Sequence, residues 1–248
     1  MNKVYKVVRC AATGVYKAVP EFAKAQGKGK GVTKKLIAIS LVSFMGATAV
    51  HAGDVLIPTG SNTAPGNAAI VAGGQNNTAS GTNSVVVGGD FNVASGTKSF
   101  VGGGGNGSVE NGNVASGYNS AIVGGYGNQA TSNWSFVSGG SQNLAGGNSS
   151  TVSGGSFNKA SSANATISGG QNNSVSGSGS TIAGGIGNDV SAQSSSIVGG
   201  SNNIISEDAN DSFIGGGQTN VINGDASVIS GGSFNNVATD TYGGVIGG

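Results

Sequence analysis

Side chains able to do chemistry are few in this 248-residue chain, and their placement works against catalysis. The single histidine, His51, and the single cysteine, Cys10, both lie in the first fifty-two residues. A histidine base, a thiolate nucleophile or a metal centre needs partners within reach. The acidic residues from Asp54 to Asp240 are scattered and never pair at a repeated position, so no acid–base dyad is built from them. Four glycines at 102–105 have the freedom of a phosphate cradle, yet no Lys-Ser/Thr follows them. The many Gly-Gly pairs could open a calcium-binding nonapeptide, but its aspartate column is missing and asparagine stands in a different register. No catalytic residue, metal ligand or cofactor is therefore expected. What remains is adhesive chemistry. Large aromatics off the repeat pattern are Phe91, Tyr118, Tyr126, Trp134, Phe157, Phe234 and Tyr242. Solitary aromatics make good contact anchors, and Tyr126, Trp134 and Tyr118 are the candidate ligand contacts. Phe91, Phe157 and Phe234 share one repeat position, which favours packing for those three.

Those side chains need a scaffold, and the scaffold is a repeat. Glycine pairs begin at residues 73, 88, 102, 124, 139, 154, 169, 184, 199, 216, 231 and 247, mostly fifteen residues apart. A fixed short step with few helix formers predicts a solenoid with one β-coil per repeat. Two positions before the pair stand Val71, Val86, Phe100, Ile122, Val137, Val152, Ile167, Ile182, Ile197, Ile214, Ile229 and Val245. All but Phe100 are β-branched, the class that suits an extended half-buried position, so stacking makes this column a core stripe. Four positions after the pair's first glycine comes a column of Asn77, Asn92, Asn106, Asn128, Asn143, Asn158, Asn173, Asn188, Asn203, Asn220 and Asn235. Asparagine tolerates left-handed backbone angles and can bond to its like in the next coil, so a turn with a stacked amide ladder is expected. Two residues on, Ala79, Ala94, Ala130, Ala145, Ala160, Val175, Val190, Ile205, Ile222 and Val237 form a second apolar column. Serines such as Ser120, Ser180 and Ser195 recur four positions before the pair. The 22-residue step from 102 to 124 equals one coil plus half a coil, which places an outward loop or an extra half-turn near 106–112.

Charge divides the chain in two. Nine of the eleven basic residues precede residue 36, while Lys98 and Lys159 face nine acidic residues beyond residue 53. Cut after Ala52, the remainder carries 2 − 9 = −7, which argues against nucleic acid or anionic lipid as a partner. Residues 36–49 are uncharged, follow Lys34 and Lys35, and lead into Val50-His51-Ala52, a small-residue cleavage site. Fourteen residues fall short of the ~20 that a spanning helix needs, so this is expected to be a helical secretory signal. With Cys10 removed, the exported part would hold no disulfide.

An additional charged unit precedes that signal. Its opening, Met1-Asn2-Lys3-Val4-Tyr5-Lys6-Val7-Val8, and the stretch Ala18-Val19-Pro20-Glu21-Phe22-Ala23-Lys24 resemble the extended signal peptide region of type V secreted proteins in Gram-negative bacteria. The resemblance implies passage through the Sec machinery and delivery to the cell surface. It is shared by trimeric autotransporters and by two-partner-secreted exoproteins. Across 69–248, the alternating Ser-x-Ala/Val-x-Gly and Asn-x-Ala-Ser-Gly half-repeats are similar to the Hep/Hag repeats in the heads of YadA-like trimeric autotransporter adhesins. That family implies an all-β fold, a left-handed parallel β-roll packed side by side with two identical copies. It also implies attachment to host extracellular matrix, host cells or other bacteria. The repeat departs from the family in being mostly fifteen residues rather than fourteen.

The resulting expectation is an extended signal peptide over 1–52, a linker over 53–68 and head coils over 69–248, with stalk and membrane anchor absent. The product would be a homotrimeric adhesin at the cell surface or outer membrane, or secreted if the chain truly ends at Gly248. Two aliphatic side chains per coil do little against the entropy of ordering fifteen residues, so folding and trimer assembly are expected to be coupled. The alternatives are a two-partner-secreted filamentous exoprotein of a biofilm matrix and, with less support for want of a Thr-x-Thr column, an ice-binding solenoid.

Overall fold

The computed structural model describes residues 61–248 together with the strands Tyr5–Arg9, Tyr16–Pro20 and Val55–Leu56. The expected signal helix over 36–49, the cleavage site at His51-Ala52 and Cys10 lie outside the described residues. Within the first unit, Met1–Met45, the two strands Tyr5–Arg9 and Tyr16–Pro20 pair antiparallel, with Val7 opposite Ala18.

The second unit, Gly46–Gly248, is a parallel β-solenoid. Each coil contributes two strands of two residues to two separate sheets, one of thirteen strands and one of eleven. Pairing is in register from coil to coil: Thr151 meets Thr166 and Val152 meets Ile167 in the first sheet, while Lys159 meets Ser174 in the second. Backbone amides donate to carbonyls of the next coil, as Val123 does to Val137 at 3.0 Å and Gln129 to Asn143 at 2.8 Å. A third, thinner column of single paired residues, among them Tyr126, Ser141, Ser156 and Gln171, runs along the turn between the sheets.

The core follows from strand alternation. In the two-residue strands from Ile70–Val71 onward the second side chain points inward and the first outward. Val152, Ile167, Ile182 and Ile197 of the first sheet and Ala160, Val175, Val190 and Ile205 of the second are all at 0% exposure. They form one continuous buried cluster along the stack. The two apolar columns read from the repeat thus face each other across the interior. Ala115, unassigned in the glycine alignment, completes the second column.

At three places the glycine alignment sets the column wrongly. Within the 102–105 run the pair that matches the other coils is Gly103-Gly104, one residue late, so Val101 is buried and Phe100 points out. Val245 is likewise corrected: it is 74% exposed, and Ile246 pairs with Ile229 and packs against the core. Because Ile246 pairs with Ile229, Gly247 falls at the position of Ser230 and Gly248 at that of Gly231, so counting back from Gly247 lands one residue early. Asn106 is exposed, and Asn113 takes the ladder position instead. The extra residues form an outward loop with a short 3-10 turn, Val109–Asn111, rather than an added half-coil, since Phe100–Val101 pairs directly with Ala121–Ile122.

The first coil also begins earlier than the glycines indicate. Val55–Leu56, expected as linker, pairs with Ile70–Val71, and the buried Asn62 heads the amide ladder. In sequence Val55-Leu56 is followed by Pro58-Thr59 and not by a glycine pair, which hid this coil from the alignment.

Buried serines form a second polar column, in which Ser195 Nα–H donates to Ser180 Oγ, Ser212 N–H to Ser195 Oγ and Ser227 N–H to Ser212 Oγ, each at 3.0 Å. The hydroxyls of Ser84 and Ser99, in the early coils, have no partner.

Among the described residues Asp189 is the one carboxylate set into a sheet strand, between Ser174 and Ile204. Partial burial raises its pKa above the ordinary 3.8, opposed by a hydrogen bond from Ser174, and its Oδ1 lacks a partner. The folded chain therefore holds this proton more tightly than the unfolded chain does. Stability is expected to be greater below pH 3.8 for this group and to be lost as pH rises through the elevated folded value. Asp189→Ser should remove that dependence and modestly raise the thermal midpoint at pH 7, as thermal melts at pH 3.5 and 7 would register.

Candidate functional site

Each coil turns two corners that need a left-handed residue, and the side chains displayed there are the variable part of the repeat. At the corner entering the second sheet stand Asn76, Phe91, Gln142, Phe157, Asn172, Asn202, Thr219 and Phe234, with φ from 53° to 58°. At the corner returning to the first sheet stand Ala68, Asn83, Lys98, Asn119, Trp134, Ser149, Asn164, Ser194, Asp211 and Ala226, with φ from 52° to 58°. Left-handed backbone costs an ordinary L-residue ~1–2 kcal/mol, least for glycine, asparagine and aspartate. The stack imposes this conformation on whatever residue falls there, so a bulky aromatic at a corner is held outward by the scaffold.

The amide ladder fixes the first of these corners. Asn143 shows the pattern: its Nδ2 donates to Gly139 O at 3.0 Å in its own coil and to Gly155 O at 2.9 Å in the next. Its Oδ1 accepts the backbone N–H of Asn158 at 3.0 Å. The same three bonds recur through Asn77, Asn92, Asn128, Asn158, Asn173, Asn188, Asn203 and Asn220, and Asn235 closes the described ladder by donating to Gly231 O and Asn220 Oδ1. Asn77 to Asn220 lie inside the roll, with amide hydrogens and oxygen all engaged. They are scaffold rather than ligand contacts.

The sequence-expected contact residues separate. Tyr118 and Trp134 come together on the second corner, on neighbouring coils, with ring centroids 5.9 Å apart and planes at 84°. Lys98, from the coil before, completes the group: its Nζ lies 5.5 Å from the centre of the Tyr118 ring and donates to the phenol oxygen at 3.2 Å. That bond, and then the ammonium charge, hold the Tyr118 hydroxyl below the usual tyrosine pKa. Asn133 fixes the tyrosine from the other side, its Oδ1 accepting the Tyr118 backbone N–H at 3.2 Å. Trp134 remains 56% exposed and Tyr118 38%. Tyr126 belongs to the third column of paired residues, opposite Ser141. Phe157 and Phe234 project from the first corner, and Tyr242 lies near the last coil, all exposed.

Lys98 was absent from the sequence-derived candidates. Its spacing to Tyr118, twenty residues, matches no fifteen-residue step, because the loop over 105–112 intervenes. Only the in-register pairing across that loop makes the two neighbours.

Residues 1–50 match the family described as Extended Signal Peptide of Type V secretion system, abbreviated ESPR. No curated protein matches the chain. The chain thus carries the export signal of a type V secreted protein at its start, followed by a β-solenoid.

Proposed function

We propose that the exported part of this chain is the head of a cell-surface adhesin, which attaches the bacterium to host extracellular matrix, host cells or other bacteria and performs no catalysis. The observation that carries this reading is the joining of a type V export signal to a solenoid whose interior is wholly structural and whose corners display exposed aromatics. Such a stack holds its corner side chains in fixed register at steps of ~4.8 Å, a geometry suited to contact with an extended or repetitive surface.

The head assembles as a side-by-side homotrimer. Support comes from the outward side of the thirteen-stranded sheet. In the early coils it presents Val87, Phe100, Val123 and Phe136, each more than a third exposed. In the middle coils the same side carries Thr151, Thr166 and Thr181, and Phe213 and Val228 follow. Aliphatic and aromatic side chains at both ends of one sheet face, with threonines between them, form the surface that identical copies would cover.

Sedimentation equilibrium of the exported chain, with binding to immobilised collagen, fibronectin, laminin and mucin, tests both parts. A mass of three chains and saturable retention on at least one surface are expected. A single-chain mass would remove the trimer, and failure on every surface and on bacterial cells would remove the adhesive role.

A further inference from the structure

We infer that the edge formed by Lys98, Tyr118 and Trp134 is a subsite for a neutral saccharide, with a pyranose ring stacked on the indole and its hydroxyls bonded by nearby amides and the lysine ammonium. The inference rests on the adhesive role proposed above and names the ligand class of that edge.

Four observations converge on it. The scaffold holds Trp134 outward at φ 54°, in a conformation that a bulky aromatic side chain does not favour, at a corner where other coils carry Asn, Ser, Ala, Gly, Asp or Lys. Backbone strain of this kind, with a large apolar ring left more than half exposed, points to a contact made outside the chain. The edge-on contact between Tyr118 and Trp134 sets the two rings at 84°, which presents aromatic surface in two directions. The surroundings are amides: Asn133, Asn148 and Asn164 are exposed on successive coils of the same corner, and Asn119 is half-buried beside Tyr118. Carboxamides both donate and accept, as sugar hydroxyls do.

Charge decides among partners. Within the group of Lys98, Tyr118 and Trp134 the lysine carries the charge, and it already engages the tyrosine. Residues 53–248 carry 2 − 9 = −7, which repels a polyanionic glycan. A proline-rich polypeptide would also stack on aromatic rings, but it uses a groove lined by several of them, and here the flanking positions are polar. Lys98 and Trp134 lie two coils apart, roughly 10 Å, which suits a pair of linked pyranose rings.

Trp134 is the sole tryptophan, so its fluorescence reports on the site directly. The full chain is titrated with cellohexaose, chitohexaose, mannohexaose, heparin and a collagen-like Pro-Pro-Gly peptide. A saturable change in emission is expected with at least one neutral oligosaccharide, weakened about tenfold or more by Lys98→Ala or Tyr118→Ala, as for an anchor residue. Trp134→Gly should lose retention on that immobilised sugar while keeping its sheet circular dichroism, since Gly179 already occupies the equivalent corner at φ 69°. A response to heparin or to the peptide alone, or to no member of the panel, overturns the inference. If Trp134→Gly still adheres to matrix or cells as the parent does, the saccharide subsite is refuted and the adhesive role stands. If the parent adheres to nothing, the adhesive role itself fails.

Discussion

Asn143→Ala should cost on the order of 2–6 kcal/mol, a large part of the ~5–15 kcal/mol that holds an ordinary domain together. The substitution leaves two groups without partners, the carbonyl of Gly139 and the backbone N–H of Asn158, while the Gly155 carbonyl keeps the N–H of Ser141 at 2.9 Å. Each buried unsatisfied group costs about 1–3 kcal/mol, and no water can enter a dry interior to replace the amide. Because coils contact only their neighbours, the loss should be local. Hydrogen exchange is expected to show protection falling first in the coils around residues 139–158, with distant coils retaining theirs. Asn235→Ala should cost less, since its Nδ2 bonds only within its own coil and back to Asn220. Asn143→Asp separates polarity from geometry. The carboxylate still accepts from Asn158 but cannot donate to two carbonyls, so the variant should be weakest at neutral pH and recover partly in acid, where a proton restores one donor.

Gly140→Ala should destabilise by about 2–4 kcal/mol or more, whereas Gly139→Ala should be neutral or slightly stabilising. The two glycines look equivalent in the repeat but differ in space. Gly140 has φ +83°, and a Cβ there would sit 2.0 Å from Gly155 O and 2.8 Å from Asn143 Nδ2. The first of these is backbone of the neighbouring coil, so relief requires the stack to part. At Gly139 an added Cβ meets nothing within 4 Å. Denaturant midpoints of the two single variants, measured side by side, check this contrast. Equal losses would mean that the turn is not wound as described.

Much of this architecture was legible in the residues. Period, the facing apolar columns and the asparagine ladder all follow from side-chain type at fixed spacing, because an in-register stack forces every coil to solve the same packing problem. What was not legible has local causes. In a run of four glycines no side chain marks which two form the turn, so the register slipped at Phe100 and was restored by Val101. Corners tolerate extra residues because they face outward, so the loop over 105–112 shifted the count without disturbing the core, and at the last coil Gly247 in the place of Ser230 moved it by one. The first coil lacks the glycine signature but keeps a paired strand at Val55–Leu56 and the ladder residue Asn62. For the candidate site, exposure of Trp134 and Tyr118 was foreseeable from their departure from the repeat. Their contact with each other and with Lys98 was not, because it depends on pairing across an irregular step.

Cysteine cross-linking along the stack tests the winding most directly, since no native cysteine follows residue 10. Paired strands bring Cα atoms within the 4.4–6.8 Å that a disulfide accepts. Rapid intramolecular oxidation is expected for Thr151→Cys with Thr166→Cys, fifteen residues apart, and equally for Phe100→Cys with Ala121→Cys, twenty-one apart across the loop. Thr151→Cys with Lys159→Cys, closer in sequence but on different sheets, should stay reduced. Failure of the first two pairs, or oxidation of all three alike, would contradict a closed roll with its valines and isoleucines turned inward.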